Sequence, residues 1–323
     1  MGNATATGRL QRLAASALLV LVLSGCATKR VATLQQDWPA GLAPAALLRD
    51  VPFHPQEDYQ CGPAALAMAA GAAGVTVRPE DLVSQVYLPA RQGSLQLEML
   101  ATARRMGLVA YTLEPDLEPL LREVAAGNPV IVLQNLSFGF APVWHYAVAI
   151  GYDRARNLLI VHSGRNERME MSLHAFERTW ERGGRWAMLA MPPARLPATA
   201  SASRYATAVA TLERSSQRAA HTAYRTALGR WPSDPVLRLG AGNTAYGLGD
   251  LQAAAAEYRA LVDAHPGFAD GWNNLAQVLF EQGRKREAVA AIDKAVALGG
   301  PRLDGYRQLR QQITAGLGGS GRR

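Results

Sequence analysis

Two cysteines and six histidines are the residues of this 323-residue chain best suited to nucleophilic and acid–base chemistry. Cys61 opens the string Cys61-Gly62-Pro63-Ala64-Ala65-Leu66, where proline suits a first helical turn and good helix formers follow. The sulfur is therefore expected at a helix N-terminus. Unpaired amides and the macrodipole there favour a thiolate, the form of cysteine that attacks an acyl carbon. The Cys61 N–H would face a developing oxyanion, and the Gln56 side chain just upstream could supply a second donor. A base that titrates near neutrality must take the thiol proton. His145 is the best placed histidine, because it begins an apolar strand after Phe138-Gly139-Phe140-Ala141-Pro142 and puts a polar ring at a sheet edge. Hydrolysis of a peptide bond and acyl transfer to another amine would use the same pair. A fold that keeps these residues but only binds is the remaining reading.

Other chemistries find less support. His162 and His174 do not share metal-binding helical spacing, and no His-Glu-x-x-His or paired-cysteine pattern occurs, so neither metal nor cofactor is expected. The formal charge of +8 is spread along the sequence without a dense run of Lys or Arg. That distribution predicts a solvated basic surface and no nucleic-acid partner. Trp144, Trp180 and Trp186 are expected in the core or on a cleft wall.

The N-terminus reads as a targeting segment over residues 1–25. Arg9 and Arg12 precede an apolar run over 13–23 that ends in Ser24 and Gly25. The run is shorter than the ~20 residues of a membrane-spanning helix. Leu23-Ser24-Gly25-Cys26 resembles the bacterial lipobox, which implies lipidation of Cys26 as the mature N-terminus and a membrane partner; Ala27 implies the outer membrane, facing the periplasm. Cleavage without lipidation is the alternative. A lipidated Cys26 would leave Cys61 as the free thiol and exclude an intramolecular disulfide.

The elements that must position Cys61 and His145 follow from local pattern. A tether is expected over 26–46 and a first domain over 47–192. Within it, apolar spacing predicts helices over 79–86, 95–106 and 117–126 and, later, 172–181. Short apolar runs predict strands over 130–133, 145–152, 158–161 and 186–191. Helices packed on an antiparallel sheet that follows them is an α+β plan. Residues 193–204, rich in Pro, Ala, Ser and Thr, read as a linker.

From 205 to 315 the texture is purely helical, with a period of 34 in Ala220, Ala254 and Ala288, in Tyr224, Tyr258 and Ile292, and in Pro232 and Pro266. This resembles the tetratricopeptide repeat. The best copy is Trp272, Leu275, Ala276, Leu279, Gly283, Ala288, Ile292 and Ala295; the middle copy carries Arg238 in place of the tryptophan. Leu303, Tyr306, Leu309 and Ile313 give the stripe of a capping helix, and a disordered tail is expected over 316–323. The repeats imply a groove for a peptide or protein partner, or a structural appendage.

Gln56, Cys61 to Leu66, Pro129-Val130-Ile131-Val132, His145-Tyr146-Ala147-Val148 and Gly151-Tyr152-Asp153 together resemble the bacteriocin-processing double-glycine peptidases of the papain clan. The resemblance implies a papain-like cysteine peptidase domain, with Cys61 as nucleophile, His145 as general base and Gln56 as oxyanion donor. It also implies a peptide substrate, since that family cleaves leader peptides after paired glycines. The sequence lacks a Walker-type phosphate loop, so ATP binding and transport do not follow. It departs from the family at a third residue. The family's imidazole-orienting Asp is replaced within Val161-His162-Ser163-Gly164. His162 or Ser163 could accept a hydrogen bond from His145, but neither carries a carboxylate's charge. Asp153 lies in the preceding turn.

Overall fold

The computed structural model describes residues 29–56, 60–91 and 93–318. The expected signal segment, the expected lipidation site Cys26, and the end of the expected tail lie outside the described residues. The first domain runs α1 (Lys29–Gln36), β1 (Ala45–Leu47), α2 (Cys61–Ala72), α3 (Pro79–Val86), β2 (Tyr87–Leu88), β3 (Gly93–Ser94), α4 (Gln96–Arg105), β4 (Val109–Thr112), α5 (Leu117–Ala125), β5 (Val130–Asn135), β6 (Trp144–Asp153), β7 (Leu158–Ser163), β8 (Asn166–Ser172), α6 (Leu173–Arg182) and β9 (Ala187–Met191). Seven further helices follow: α7 (Ala202–Leu212), α8 (Gln217–Arg230), α9 (Pro235–Gly247), α10 (Leu251–Ala264), α11 (Ala269–Glu281), α12 (Lys285–Leu298) and α13 (Leu303–Gly318). The fold is α+β followed by all-α, as the sequence predicts.

The main sheet is antiparallel, in the order β4-β9-β5-β6-β7-β8, with β1 added to the second half of β6. Alternation along each strand divides the core in two. Tyr146, Val148 and Ile150 of β6 face α2, α3 and α4, whereas Ala147 and Ala149 face α5, α6 and the first repeat helices. Both faces are covered, so the central strands carry unbroken apolar runs. A β-bulge between Ala149 and Gly151 re-phases β6 where β1 joins it. Gly151 is required there, because a Cβ would lie 2.8 Å from the Ala46 carbonyl oxygen. Helix α2 is buried from Gly62 to Ala70, which its small apolar residues permit on every side.

Two expectations need correction, and one strand was not foreseen. Residues 29–46 are not a free tether: Val31, Leu34 and Leu42 enter the core, and Ala45 pairs with Asp153. So few apolar residues carry no readable period, and only packing on α5 and α6 gives the segment its structure. The sheet does not simply follow the helices, since β1 and β4 precede or interleave with them; each has three or four residues, too few to show alternation. β8 was hidden for the opposite reason. It is a polar edge strand, whose charged residues suit a margin that must not pair with another molecule.

The linker over 193–204 lacks regular structure until α7 begins, yet it is strapped to the first domain. The buried Glu123 carboxylate accepts from Asn128 Nδ2 at 2.7 Å, Ala198 N at 3.1 Å, and Thr199 N and Oγ1 at 2.7 and 2.5 Å. Glu123→Ala should orphan these donors and destabilise the protein by about 2–4 kcal/mol in urea unfolding. A change under ~0.5 kcal/mol would show that the strap is dispensable. Beyond it, Tyr205, Val209 and Leu212 of α7 share the core that holds Val109 and Tyr111, so the repeats are docked on the sheet domain.

Helix α9 lies close to both its neighbours: Gly240 and Gly242 sit where a Cβ would collide with the rings of Tyr224 on α8 and Tyr258 on α10, respectively. Arg238 does the tryptophan's work: its Nε donates to Pro232 O at 3.0 Å, as Trp272 Nε1 donates to Pro266 O at 2.8 Å. Helix α13 extends to Gly318, into the stretch expected as tail. Among the described residues no helix is long and apolar enough to cross a membrane.

Candidate active site

Cys61 is the first residue of α2, and the N-cap residue Gln60 makes no side-chain capping bond. Burial pushes the thiol pKa above its ordinary 9.0, while the backbone N–H groups of Tyr146, Gly62 and Cys61 itself pull it down. Donation from Tyr146 places the sulfur at the start of β6, beside His145. Gly62 allows this packing, because a Cβ there would run into the Ser94 side chain on β3.

The His145 imidazole is half-buried, and its Nε2 lies 2.9 Å from Ser163 Oγ at the end of β7. With Nε2–H donating to that hydroxyl, Nδ1 keeps the lone pair that a general base needs. Burial holds the His145 pKa below its ordinary 6.5, so the ring is neutral at pH 7. The serine fixes the ring's direction but adds no negative charge for an imidazolium. By alternation His145 starts the series of Ala147 and Ala149, opposite the face on α2. Thiol and imidazole can therefore meet only around the free end of β6. Among the described residues no hydrogen bond joins them, and such bonds are often loose before substrate tightens the site.

Gln56 is pinned by its backbone N–H to Gly164 O at 3.1 Å, next to Ser163. Its side chain is buried, and among the described residues Nε2 has no hydrogen-bond partner. Gln56, Ser163, His145 and the Cys61 thiol thus gather at one corner of the sheet. His162 does not join them. Its Nδ1 accepts from Arg168 N at 3.2 Å, its Nε2 lies 3.3 Å from Val51 O, and its ring packs on Phe53. Both nitrogens are used on the α2 side of the sheet, and burial lowers its pKa. Asp153 Oδ1 accepts from Arg156 N within its own turn.

Two features of this corner had little sequence signal. The N–H of Tyr146 reaches the thiol through backbone, which residue type cannot reveal. Leu136, Phe138, Phe140, Val143 and Trp144 form an exposed apolar lip leading into His145, with Phe140 89% exposed and stacked on Phe138 at 5.6 Å. Asn135 Oδ1 closes the loop by accepting from Ser137 N and Val143 N. The Phe-Gly-Phe string was legible, its exposure was not. Trp180, by contrast, is fully buried.

The titration order makes a prediction. With a raised thiol pKa and a lowered imidazole pKa, the resting pair is neutral thiol and neutral imidazole. Iodoacetamide alkylation of Cys61 should climb with pH and reach half its maximal rate above pH 9. A plateau already at pH 6 would mean a resting thiolate–imidazolium pair and refute this order. Among the described residues no cluster of three or more His, Cys, Asp or Glu could hold a metal ion.

Comparisons divide the protein in the same way. Residues 48–188 match the model of the Peptidase_C39 like family, and residues 205–267 and 239–302 match the Tetratricopeptide repeat model. A C39-like peptidase from Bacillus anthracis is similar at 20% identity and TM-score 0.37, over 45% of this chain and 96% of that one. The Sgt2 tetratricopeptide domain from Aspergillus fumigatus is similar at 19% identity and TM-score 0.33, over 35% of this chain and 76% of that one. The first tetratricopeptide domain of Spaghetti, bound to an HSP90 peptide, is similar at 14% identity and TM-score 0.33, over 36% of this chain and 95% of that one. No match was found among curated proteins.

Proposed function

We propose that this protein, a C39-like peptidase domain joined to tetratricopeptide repeats, is a cysteine peptidase of the bacterial cell envelope. His145 Nδ1 takes the Cys61 proton, and the thiolate attacks the substrate carbonyl. Gln56 Nε2 and the Cys61 N–H hold the oxyanion, and His145 returns the proton to the leaving amine. Water, deprotonated by the same nitrogen, then cleaves the thioester and frees the thiol.

The observation that carries this reading is the buried Gln56 amide beside the thiol's corner, which has no partner among the described residues. A donor left unpaired costs about 1–3 kcal/mol. That expense has a reason when the missing partner is an oxygen charged only during reaction. The exposed aromatic lip suits an apolar stretch of peptide, and the repeats suit a substrate or partner protein. The lipobox-like Leu23-Ser24-Gly25-Cys26 supports a lipid anchor in the outer membrane, facing the periplasm. The double-glycine preference rests on the family resemblance alone.

A second reading has its own support. Ser163 where the family has Asp, together with a thiol kept neutral by burial, favours a weak peptidase or a peptide-binding scaffold. Cys61 and His145 would also serve acyl transfer, which product analysis with an added amine separates from hydrolysis. A peptide vinyl sulfone should label Cys61 at pH 7.5, and His145→Ala should slow labelling by about 100-fold or more. Ser163→Asp should quicken it. An inert Cys61 in both the parent and Ser163→Asp would leave the scaffold.

A further inference from the structure

Strands β5 and β6 run on past the sheet as a closed hairpin, in which Leu136 N donates to Val143 O at 2.9 Å and Ala141 N to Phe138 O at 3.1 Å. The base of this hairpin is held as well, because Arg182 Nη1 at the end of α6 donates to Ser137 O. The apolar lip is therefore a built feature and its exposure is not fraying. Phe138 is 65% exposed and Trp144, at the foot of the hairpin, 54%. With Leu136, Phe140 and Val143 they make a contiguous apolar patch, which marks a surface that something covers.

Shape and charge together name the cover. The Phe138 and Phe140 rings stack on each other at a hairpin tip, so no slot opens between them for a peptide side chain. Projecting aromatic rings lodge readily at the boundary between lipid headgroups and acyl chains. Residues 136–144 contain no acid. On α6, Glu177 and Glu181 both pair with Arg185, whereas Arg178 and Arg182, one turn apart on one face, form no ion pair among the described residues. A basic rim beside apolar side chains is what an anionic phospholipid surface attracts.

The N-terminal part of the chain leads to the same side of the domain. Helix α1 packs on α6 and opens with Lys29, three residues after Cys26. Three residues of chain reach at most about 11 Å, and the ten residues of α6 span about 15 Å. A lipid on Cys26 would thus hold a bilayer beside α1 and α6, and the lip stands at the C-terminal end of α6.

We propose that Phe138, Phe140 and Trp144 insert into the headgroup region of an anionic phospholipid bilayer, with Arg178 and Arg182 against its phosphates. The inference draws on the envelope reading above and adds a second attachment to the lipid of that reading. His145 directly follows Trp144, so insertion sets the mouth of the site at the bilayer surface, where peptides lying on that surface meet it.

The test uses the environment-sensitive dye NBD on the full-length protein with Cys26→Ser and Cys61→Ser, which leaves no lipid chain and no other thiol. The dye is placed on Phe140→Cys or, for comparison, on Gln312→Cys, an exposed position of α13. With vesicles of phosphatidylcholine and phosphatidylglycerol, the dye at 140 should shift to the blue and be quenched by brominated acyl chains, while the dye at 312 should stay in water. Phe138→Ser should raise the lipid concentration needed for half of the shift about tenfold. Arg178→Gln should raise it about fivefold, and Arg286→Gln, the same charge change at an exposed position of α12, should leave it unchanged. A dye at 140 that stays in water, an equal response at 312, or an equal loss with Arg286→Gln would each overturn the proposal. So would a shift caused by a short leucine-rich peptide where vesicles cause none, which would give the lip to substrate alone. Mass spectrometry of the mature N-terminus reads the lipid separately. An unmodified Cys26 beside an inserting lip removes the anchor only, and a lipidated Cys26 beside a lip in water removes the insertion only.

Discussion

Cys61→Ser should lower peptide hydrolysis by at least about 10⁴-fold while moving the melting temperature by no more than ~1–2 °C. The two residues differ in one atom, and a serine hydroxyl at the start of α2 can still accept the Tyr146 N–H that now meets the sulfur. Only nucleophilicity is lost. A hydroxyl is far harder to deprotonate than a thiol, and His145, backed by the neutral Ser163 hydroxyl, is a poor base for that task. Product formation followed by mass spectrometry, with a thermal melt by circular dichroism, reads both halves. Cleavage that persists at the parent rate would remove Cys61 from the chemistry.

Gln56→Met should change activity and stability in opposite directions. Methionine keeps the length of the buried side chain but has no amide to leave unpaired, so unfolding should require about 1 kcal/mol more. The same change removes one oxyanion donor, for which kcat should fall by about 10²–10³ with KM little altered. A structural glutamine would behave otherwise: its replacement would lower stability and spare kcat. That outcome, from denaturant titration and initial rates, would end the oxyanion assignment.

The fold was legible where its information is local. The helix at 79–86 and the four strands expected from 130 onward appear within one or two residues of the expected ends, because each carries its own periodicity or apolar run. The repeats were legible from phase alone, since every 34-residue unit packs mainly on the next. Segments that borrow their structure were not. Helix α1 contributes Val31 and Leu34 and depends on α5 and α6, while β1 pairs in register with residues more than a hundred positions away.

The candidate site divides along the same line. Residue types and spacing alone determined that Cys61 heads a helix and that His145 opens a strand; the family resemblance marked an Asp as missing after the Gly-Tyr-Asp turn. Only the tertiary structure decided between the neighbours His162 and Ser163. Successive residues of a strand point to opposite faces, so one step along β7 sends His162 to Val51 and Ser163 to His145. The amide of Gln56, without a partner among the described residues, belongs to the same class. A residue's type states which bonds it can make, but whether a partner arrives depends on segments distant in sequence, and only folding brings those within reach.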